Sequence, residues 1–228
     1  MDFIYDYTAN TAPKYHQEVV VFKEDISTKI EQTKQIAFSY MQSLEGWCTR
    51  NKASILIDLI YMLRPTTVVE IGVWGGKSLI PMAYAMKSLN QGSCYGIDPW
   101  DNQASIVGME GANYDWWEKV DHEGILNGLI SKIALYQLFP QITLIRSTSQ
   151  NAAPIENIDM IHIDGNHSEE SSMFDVNKWV PLVRKGGIVI FDDVDWPSNA
   201  KAVEWLDTNC TRINVFKEHN EWGIWLKP

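Results

Sequence analysis

Short apolar runs that alternate with helical patterns are the feature of this sequence that most constrains its fold. Runs rich in Val and Ile predict five strands, at residues 67–71, 94–97, 142–145, 158–163 and 188–191. Apolar residues at helical spacing predict helices at residues 78–89, 124–138, 169–180 and 200–207. Repeated strand, helix and strand units form a parallel sheet with helices on both faces, so the pattern predicts a doubly wound α/β fold.

The end of the chain departs from this alternation. Two β-rich runs, at residues 212–217 and 222–226, are separated by only residues 218–221. A parallel crossover needs a dozen or so residues, so these runs are expected to form an antiparallel hairpin. The fold class is therefore α/β, with a mostly parallel seven-stranded sheet that has an antiparallel C-terminal hairpin strand.

Two helices are predicted before the first strand. Residues up to about Pro13 have no clear period and are expected to form an irregular arm, whereas a helical pattern begins at Ile26 and has Gly46 as a stop signal. Thr49 or Asn51 is expected to cap a second helix over residues 53–63. We divide the chain into an arm with a helical extension (1–50) and the main domain (51–228).

These N-terminal helices have three possible roles. They could cover one face of the sheet, form a lid over a site, or cover a neighbouring subunit in a homo-oligomer. The sequence leaves this choice open.

Charge and cysteine content limit the partners. The formal net charge is −10 and the pI is about 4.9, which argues against nucleic acid and against an anionic membrane, because both favour clustered Lys and Arg. The three cysteines, Cys48, Cys94 and Cys210, lie far apart and suggest reduced thiols. The N-terminus has no secretory pattern, so we expect a cytoplasmic protein with a small-molecule substrate.

A glycine-rich turn follows the first predicted strand. Residues 68–78 read VVEIGVWGGKS, a strand that leads through three glycines into a helix. Such a turn lets backbone N–H groups approach a ligand closely, although the glycines could serve turn geometry alone. The dinucleotide fingerprint G-x-G-x-x-G is not met, since Trp74 and Lys77 occupy its second and third glycine positions.

Polar residues follow every strand of the predicted sheet. Ligands of doubly wound sheets bind at the carboxyl ends of the strands, so these residues are expected to share one site. Asp98 follows the second strand, where an acid can accept hydrogen bonds from both hydroxyls of a ribose. The alternative is a helix N-cap, which Pro99 makes awkward.

This ordered set resembles the class I S-adenosylmethionine-dependent methyltransferases. The resemblance rests on E-x-G-x-aromatic-x-G-x-S from Glu70 to Ser78, on Asp98, on T-L-x-x-x-x-S-Q at residues 143–150, and on the acids after the fourth and fifth strands. Within that superfamily the sequence is most similar to the metal-dependent O-methyltransferases, namely the catechol and caffeoyl-CoA type and the related bacterial sugar and macrolide enzymes. The resemblance covers the chain from Val68 to the C-terminus and implies a Rossmann-like class I methyltransferase domain.

The resemblance implies a role for individual residues. Glu70, Gly72, Gly76 and Ser78 would hold the methionine part of S-adenosylmethionine, and Asp98 would bind the ribose. Ser149 and Gln150 would contact the adenine. Trp100 would pack against the adenine or, alternatively, anchor its loop.

The same resemblance implies a metal site at Asp164, Asp192 and Asp193. Carboxylate oxygens suit Mg²⁺, Ca²⁺ or Mn²⁺, and three carboxylates brought together without a cation would repel one another. Asp192 or Asp193 could instead cap the following turn. The catechol-type pattern has Asn at the position of Asp193.

Catalytic assistance is expected from His167. The catechol-type enzymes have a Lys at this position, and the sugar-modifying relatives have an Asp at the position of Asn166, so the chain departs from both. A neutral imidazole, with a pKa of about 6.5, can remove a hydroxyl proton near neutral pH. His167 could also be a solvent-facing residue at a helix start, because Ser168 is a good N-cap. His162, within the apolar fourth strand, is expected to be structural.

The predicted activity is methyl transfer from S-adenosylmethionine to a hydroxyl of a small-molecule acceptor. Residues 99–120 form the least regular interior segment, and their aromatic residues, together with Trp196, are candidates for an acceptor pocket. Two other classes remain open. One is an NAD-dependent oxidoreductase, and the other is a non-catalytic protein that binds S-adenosylmethionine.

Overall fold

The computed structural model describes residues 25–218 and 220–228. The described residues contain a seven-stranded sheet in the order β3-β2-β1-β4-β5-β7-β6. The strands are β1 (Thr67–Ile71), β2 (Ser93–Asp98), β3 (Ile142–Arg146), β4 (Ile158–Ile163), β5 (Val183–Asp192), β6 (Thr211–Phe216) and β7 (Trp222–Leu226). The helices are α1 (Ile26–Met41), α2 (Arg50–Leu63), α3 (Leu79–Leu89), α4 (Asn102–Ser105), α5 (Gly111–Trp117), α6 (His122–Leu135), α7 (Glu169–Trp179) and α8 (Ala200–Asn209).

Strand directions confirm the predicted sheet. The strands β1 to β5 pair in parallel, whereas β7 runs antiparallel to both β5 and β6. The strand β7 is therefore the reversed strand that the short connection before it requires.

Alternation along the strands separates two buried cores. Val68 packs with residues of α2, α3 and α6, whereas its neighbour Val69 packs with residues of α7 and α8. Successive side chains of a strand point to opposite faces, so helices cover both faces of the sheet, as predicted. The helices α1 and α2 pack against α3, which places them on one face.

Several element boundaries differ from the prediction. The helix α1 ends at Met41, short of Gly46, and α2 begins at Arg50 because the Thr49 side chain accepts a hydrogen bond from the Lys52 N–H. The prediction of an irregular segment at residues 99–120 was wrong, since this segment contains α4 and α5. These helices have 4 and 7 residues, too few to leave a clear period in the sequence. The predicted arm up to Pro13 lies outside the described residues.

None of the helices in the described part of the chain has the length and apolar character that a membrane crossing requires.

Candidate functional site

A cavity of about 630 Å³ opens at the carboxyl ends of the parallel strands. Nine of the predicted site residues line it: Gly72, Ser78, Asp98, Ser149, Gln150, Asp164, His167, Asp192 and Asp193. Glu70, Gly76 and Trp100 lie in the buried layer behind this wall. The strand ends thus bring together residues that are up to about half the chain apart, as expected for a doubly wound sheet.

Two glycines allow the turn after β1 to pack closely. Gly72 has a φ of +81°, and a Cβ atom there would lie 1.8 Å from the backbone oxygen of Asp164. Gly76 has a φ of +79°, and a Cβ atom there would lie 2.5 Å from Cδ1 of Leu129. The backbone conformation disfavours a side chain at both positions, and at Gly72 the backbone of Asp164 also leaves no space for one.

Glu70 is fully buried at the base of the site. Its Oε1 accepts hydrogen bonds from Ser78 Oγ and lies 2.7 Å from Nδ1 of His162, while Oε2 has no hydrogen-bond partner among the described residues. The other ring nitrogen of His162, Nε2, lies 3.2 Å from Oδ1 of Asp192. His162 therefore links the turn after β1 to the end of β5.

Asp98 ties the glycine turn to the end of β2. Its Oδ2 accepts hydrogen bonds from the N–H groups of Val73 and Trp74, both at 3.0 Å, and its Oδ1 accepts one from Trp100 N at 2.7 Å. Burial raises the pKa of this carboxyl, and the three N–H groups partly offset that effect. A carboxylate offers about four acceptor positions, so Oδ1 retains capacity for a ligand hydroxyl.

Trp100 anchors the segment that follows Asp98. Its side chain is 1% exposed, and its Nε1 donates a hydrogen bond to the backbone oxygen of Trp74 at 3.0 Å. These contacts agree with the alternative in which Trp100 anchors its loop. The role of Trp100 in adenine contact stays a prediction.

Ser149 and Gln150 lie in a turn held from α7. The backbone oxygen of Ser149 accepts hydrogen bonds from Lys178 Nζ at 2.7 Å and from Trp179 Nε1 at 3.2 Å. Asp175, which also lines the cavity, is buried, and its pKa is raised to about 7 by that burial, although a hydrogen bond with Ser149 acts in the opposite direction. These contacts fix the side of the cavity where adenine is expected.

The three predicted metal ligands form one group with two histidines, which we call the carboxylate cluster: Asp164, Asp192, Asp193, His162 and His167. The ligand atoms of His162, Asp164 and Asp192 lie within 4.8 Å of one another, and so do those of Asp164, His167 and Asp193. Burial and the nearby charge of Asp192 raise the pKa of Asp164 to about 7. The pKa of Asp192 is instead lowered, because the attraction of Lys52 and His162 outweighs its burial.

Asp193 and His167 are paired at the open side of this cluster. The φ of Asp193 is +52°, and its Oδ2 lies 3.0 Å from Nε2 of His167. Burial lowers the pKa of His167, but Asp193 outweighs that effect, so the pKa lies above its ordinary value. Oδ1 of Asp193 is buried and has no hydrogen-bond partner among the described residues.

Lys52 is a site residue that the sequence reasoning missed. It lies in the first turn of α2, is 4% exposed, lines the cavity, and donates from Nζ to Oδ2 of Asp192. The spacing of Lys52 in the sequence could have indicated its burial. Lys52, Leu56 and Ile60 are four residues apart and therefore share the buried stripe of the helix. A lysine on such a stripe is unusual enough to indicate a buried partner.

Asn166 holds the segment at residues 99–120 against the end of β4. Its Nδ2 donates hydrogen bonds to the backbone oxygens of Ser105 and Val107 at 3.2 and 2.9 Å. The departure from the acidic pattern at this position thus has a structural explanation.

Four indole rings form one wall of the cavity, which we call the tryptophan cluster: Trp47, Trp74, Trp116 and Trp117. Ring centroids of Trp74 and Trp117 lie 5.1 Å apart, those of Trp116 and Trp117 lie 4.8 Å apart, and both pairs are edge to face. Trp47, in the loop before α2, is 5.7 Å from Trp74. The sequence analysis had not included Trp47 in the site.

Comparison with known families identifies the central part of the chain. A family model described as a methyltransferase domain matches residues 69–194. A curated protein from Sinorhizobium fredii (strain NBRC 101917 / NGR234), named uncharacterized protein y4gI, is 26% identical over 143 residues, which are 60% of this chain. This chain spans only 14% of that relative's length.

Solved structures share the fold over almost the whole chain. An O-methyltransferase from Bacillus cereus in complex with SAH has a TM-score of 0.59 at 16% identity, with 91% of this chain and 94% of that chain covered. The O-methyltransferase TomG from Streptomyces achromogenes, involved in tomaymycin synthesis and in complex with SAM, has a TM-score of 0.58 at 15% identity, with coverages of 90% and 91%. The SAH-bound methyltransferase PaMTH1 from Podospora anserina has a TM-score of 0.57 at 12% identity, with coverages of 93% and 100%.

Proposed function

The chain belongs to the family of methyltransferase domains, and from that premise we propose that it is a divalent-metal-dependent O-methyltransferase. It would transfer the methyl group of S-adenosylmethionine to a hydroxyl of a small molecule. The observation that carries the proposal is the position of the carboxylate cluster in the wall of the same cavity as the glycine turn. This arrangement supports a cation site beside a cofactor site in the same cavity.

The fit of S-adenosylmethionine is supported by the shape and the polar groups of the cavity. The turn at Gly72 and Gly76 presents backbone, and Asp98 keeps acceptor capacity for ribose hydroxyls. Ser149 and Gln150 would contact the adenine from the turn held by α7. The Bacillus cereus and Streptomyces achromogenes proteins, which share the fold, bind SAH and SAM.

The fit of a divalent cation is supported by the donor atoms. Asp164, Asp192 and Asp193 offer oxygen ligands, which Mg²⁺, Ca²⁺ and Mn²⁺ prefer. Oδ1 of Asp193 is buried and has no hydrogen-bond partner among the described residues. Burial and, after it, repulsion from Asp192 raise the pKa of Asp164, and a cation would relieve that repulsion. When bound, the cation would favour the deprotonated form of the acceptor hydroxyl.

In the proposed mechanism the protein positions the acceptor and removes its proton. His167 donates from Nε2 to Asp193, which leaves Nδ1 as the ring atom that accepts the hydroxyl proton. Asp193 keeps the imidazole in this tautomer and stabilises the imidazolium that forms. Because Asp98, Gly72 and the turn at Ser149 fix the cofactor, most of the rate enhancement would come from alignment of the oxygen with the methyl group.

The acceptor is expected to be planar or partly apolar. The tryptophan cluster lines the cavity, with Trp116 47% exposed and therefore available for contact. Trp196 also lines the cavity, and the centroid of its ring lies 4.9 Å from that of His167. Flat rings in a wall of this kind bury apolar area and stack on planar groups.

Transfer of labelled methyl from S-adenosylmethionine to a panel of hydroxylated aromatic and sugar acceptors tests the proposal. We expect product that disappears after thorough chelation and returns with Mg²⁺ or Mn²⁺. Activity that survives chelation would remove the cation from the mechanism. Calorimetry with S-adenosylhomocysteine and with NAD tests the cofactor, since binding of NAD alone would overturn the methyltransferase assignment.

A further inference from the structure

The Lys52 side chain adds a positive charge beside the carboxylate cluster. Its Nζ contacts Oδ2 of Asp192 and lies 5.5 Å from the centroid of the Trp222 ring. Burial alone would lower the pKa of Lys52, but the charges of Asp192 and Asp164 outweigh it, so the side chain stays an ammonium. The cluster therefore contains its own positive charge.

The backbone of Lys52 is held in place from the C-terminal hairpin. Thr49 caps α2 and donates from Oγ1 to Oε2 of Glu218 at 2.6 Å, and Asn51 donates from Nδ2 to Oε1 of the same residue. Glu218 lies between β6 and β7. These contacts hold the start of α2 beside the cavity, so any rearrangement of Lys52 would involve its side chain rather than its backbone.

Both oxygens of Asp192 already have partners in the protein. Oδ1 lies 3.2 Å from Nε2 of His162, and Oδ2 accepts from Lys52. His162 is fully buried within β4 and is also bonded to Glu70, so it cannot leave. Lys52 has a flexible four-carbon stem and lines the cavity, so it is the partner that can move.

We propose that Lys52 competes with the divalent cation for Asp192. The inference rests on the proposed function, because it concerns the cation that this function requires. Without the cation, the Lys52 ammonium holds Asp192 and reduces repulsion within the carboxylate cluster. When the cation binds, Lys52 leaves Oδ2, because two positive charges at contact distance repel each other. Lys52 thereby weakens cation binding and keeps the cation exchangeable.

Direct titration of Mn²⁺ onto the full chain, followed by the EPR signal of free Mn²⁺, tests the proposal. We expect Lys52→Gln to bind Mn²⁺ at least about tenfold more tightly than the wild type, since this change removes the competing charge. Lys52→Arg, which keeps a positive charge, should not gain this affinity. The matched control is Lys34→Gln, which removes a lysine of α1 that pairs with Asp58 of α2 and does not line the cavity, so it should leave Mn²⁺ affinity unchanged.

A measurement on the wild type covers the case in which Lys52→Gln fails to fold. The ¹⁵N resonance of the Lys52 ammonium should shift when Mg²⁺ saturates the protein, because its partner Asp192 is lost. Competition would be overturned if the ¹⁵N resonance of Lys52 did not change at Mg²⁺ saturation. It would also be overturned if Lys52→Gln bound Mn²⁺ as tightly as the wild type or more weakly. Either result would leave the metal-dependent function in place. If neither the wild type nor Lys52→Gln binds Mn²⁺, the proposed function does not involve a divalent cation. Competition between Lys52 and the cation is then excluded as well.

Discussion

Nε2 of His167 lies 3.0 Å from Oδ2 of Asp193, across the gap between the ends of β4 and β5. Asp193 directly follows β5, and His167 lies in the connection that follows the neighbouring parallel strand β4, so the sheet brings both residues to the same edge. Asp193 adopts a left-handed backbone conformation, with a φ of +52°, which residues other than glycine adopt rarely. Such conformations persist where surrounding contacts hold them and are concentrated at functional sites.

We expect His167→Gln to lower kcat by about 10² to 10⁴, the usual contribution of a general base, without loss of S-adenosylhomocysteine binding. The wild-type rate should fall as the pH decreases through the pKa of His167, which lies above its ordinary value. Asp193→Asn should move this limb of the pH–rate profile to lower pH, because the charge that raises the pKa is removed. A kcat for His167→Gln equal to that of the wild type would exclude the base role.

Gly72→Ala should abolish cofactor binding and destabilise the fold. The new Cβ would lie 1.8 Å from the backbone oxygen of Asp164, at a φ of +81° that alanine disfavours. We expect a loss of at least about 2 kcal/mol in the free energy of unfolding, measured with urea. Gly128→Ala is the matched control, since a Cβ there meets no atom within 4 Å, and it should stabilise α6 by about 0.5–1 kcal/mol. Equal effects of the two changes would contradict this explanation.

The fold could be predicted because its signals are local. Val68 and Val69 belong to a β-branched run, and glycines and a helical period follow it within ten residues. The rule that ligands bind at strand ends then brought Asp98, Asp164 and Asp192 to one edge of the sheet, where the structure has them. The short helices α4 and α5 were missed because one or two turns contain too few apolar positions to show a period.

The long-range partners of the site could not be predicted from local patterns. Lys52 meets Asp192 across 140 residues of sequence, and Asn51 meets Glu218 across 167. The strand-end rule considers only residues after β-strands, and so it omits a side chain that enters from a helix start. Nothing in the sequence near Trp100 indicates that its indole is bonded to the backbone of Trp74 rather than exposed in the cavity.

Glu218→Ala should loosen the start of α2. The change removes the acceptor of two hydrogen bonds, from Thr49 Oγ1 and Asn51 Nδ2. Hydrogen bonds to a charged acceptor at a partly exposed site support an expected loss of about 1 kcal/mol in the free energy of unfolding. Glu221→Ala, on the same connection between β6 and β7, leaves both hydrogen bonds in place and serves as the control. Similar urea midpoints for the two variants would show that the contacts do not stabilise the fold.

Asp175 should make the protein less stable as the pH rises. Burial raises its pKa from 3.8 to about 7, so between these two values the folded state binds a proton that the unfolded state has released. The free energy of unfolding must therefore fall as the pH increases from about 4 to about 7.

Asp175→Asn removes this titration and can still accept from Ser149. Relative to the wild type, we expect the variant to gain a few kcal/mol between pH 4 and pH 8, because each pKa unit corresponds to about 1.4 kcal/mol. Urea unfolding at both pH values measures the gain, and parallel stability curves would contradict a buried, proton-binding carboxyl beside the cavity.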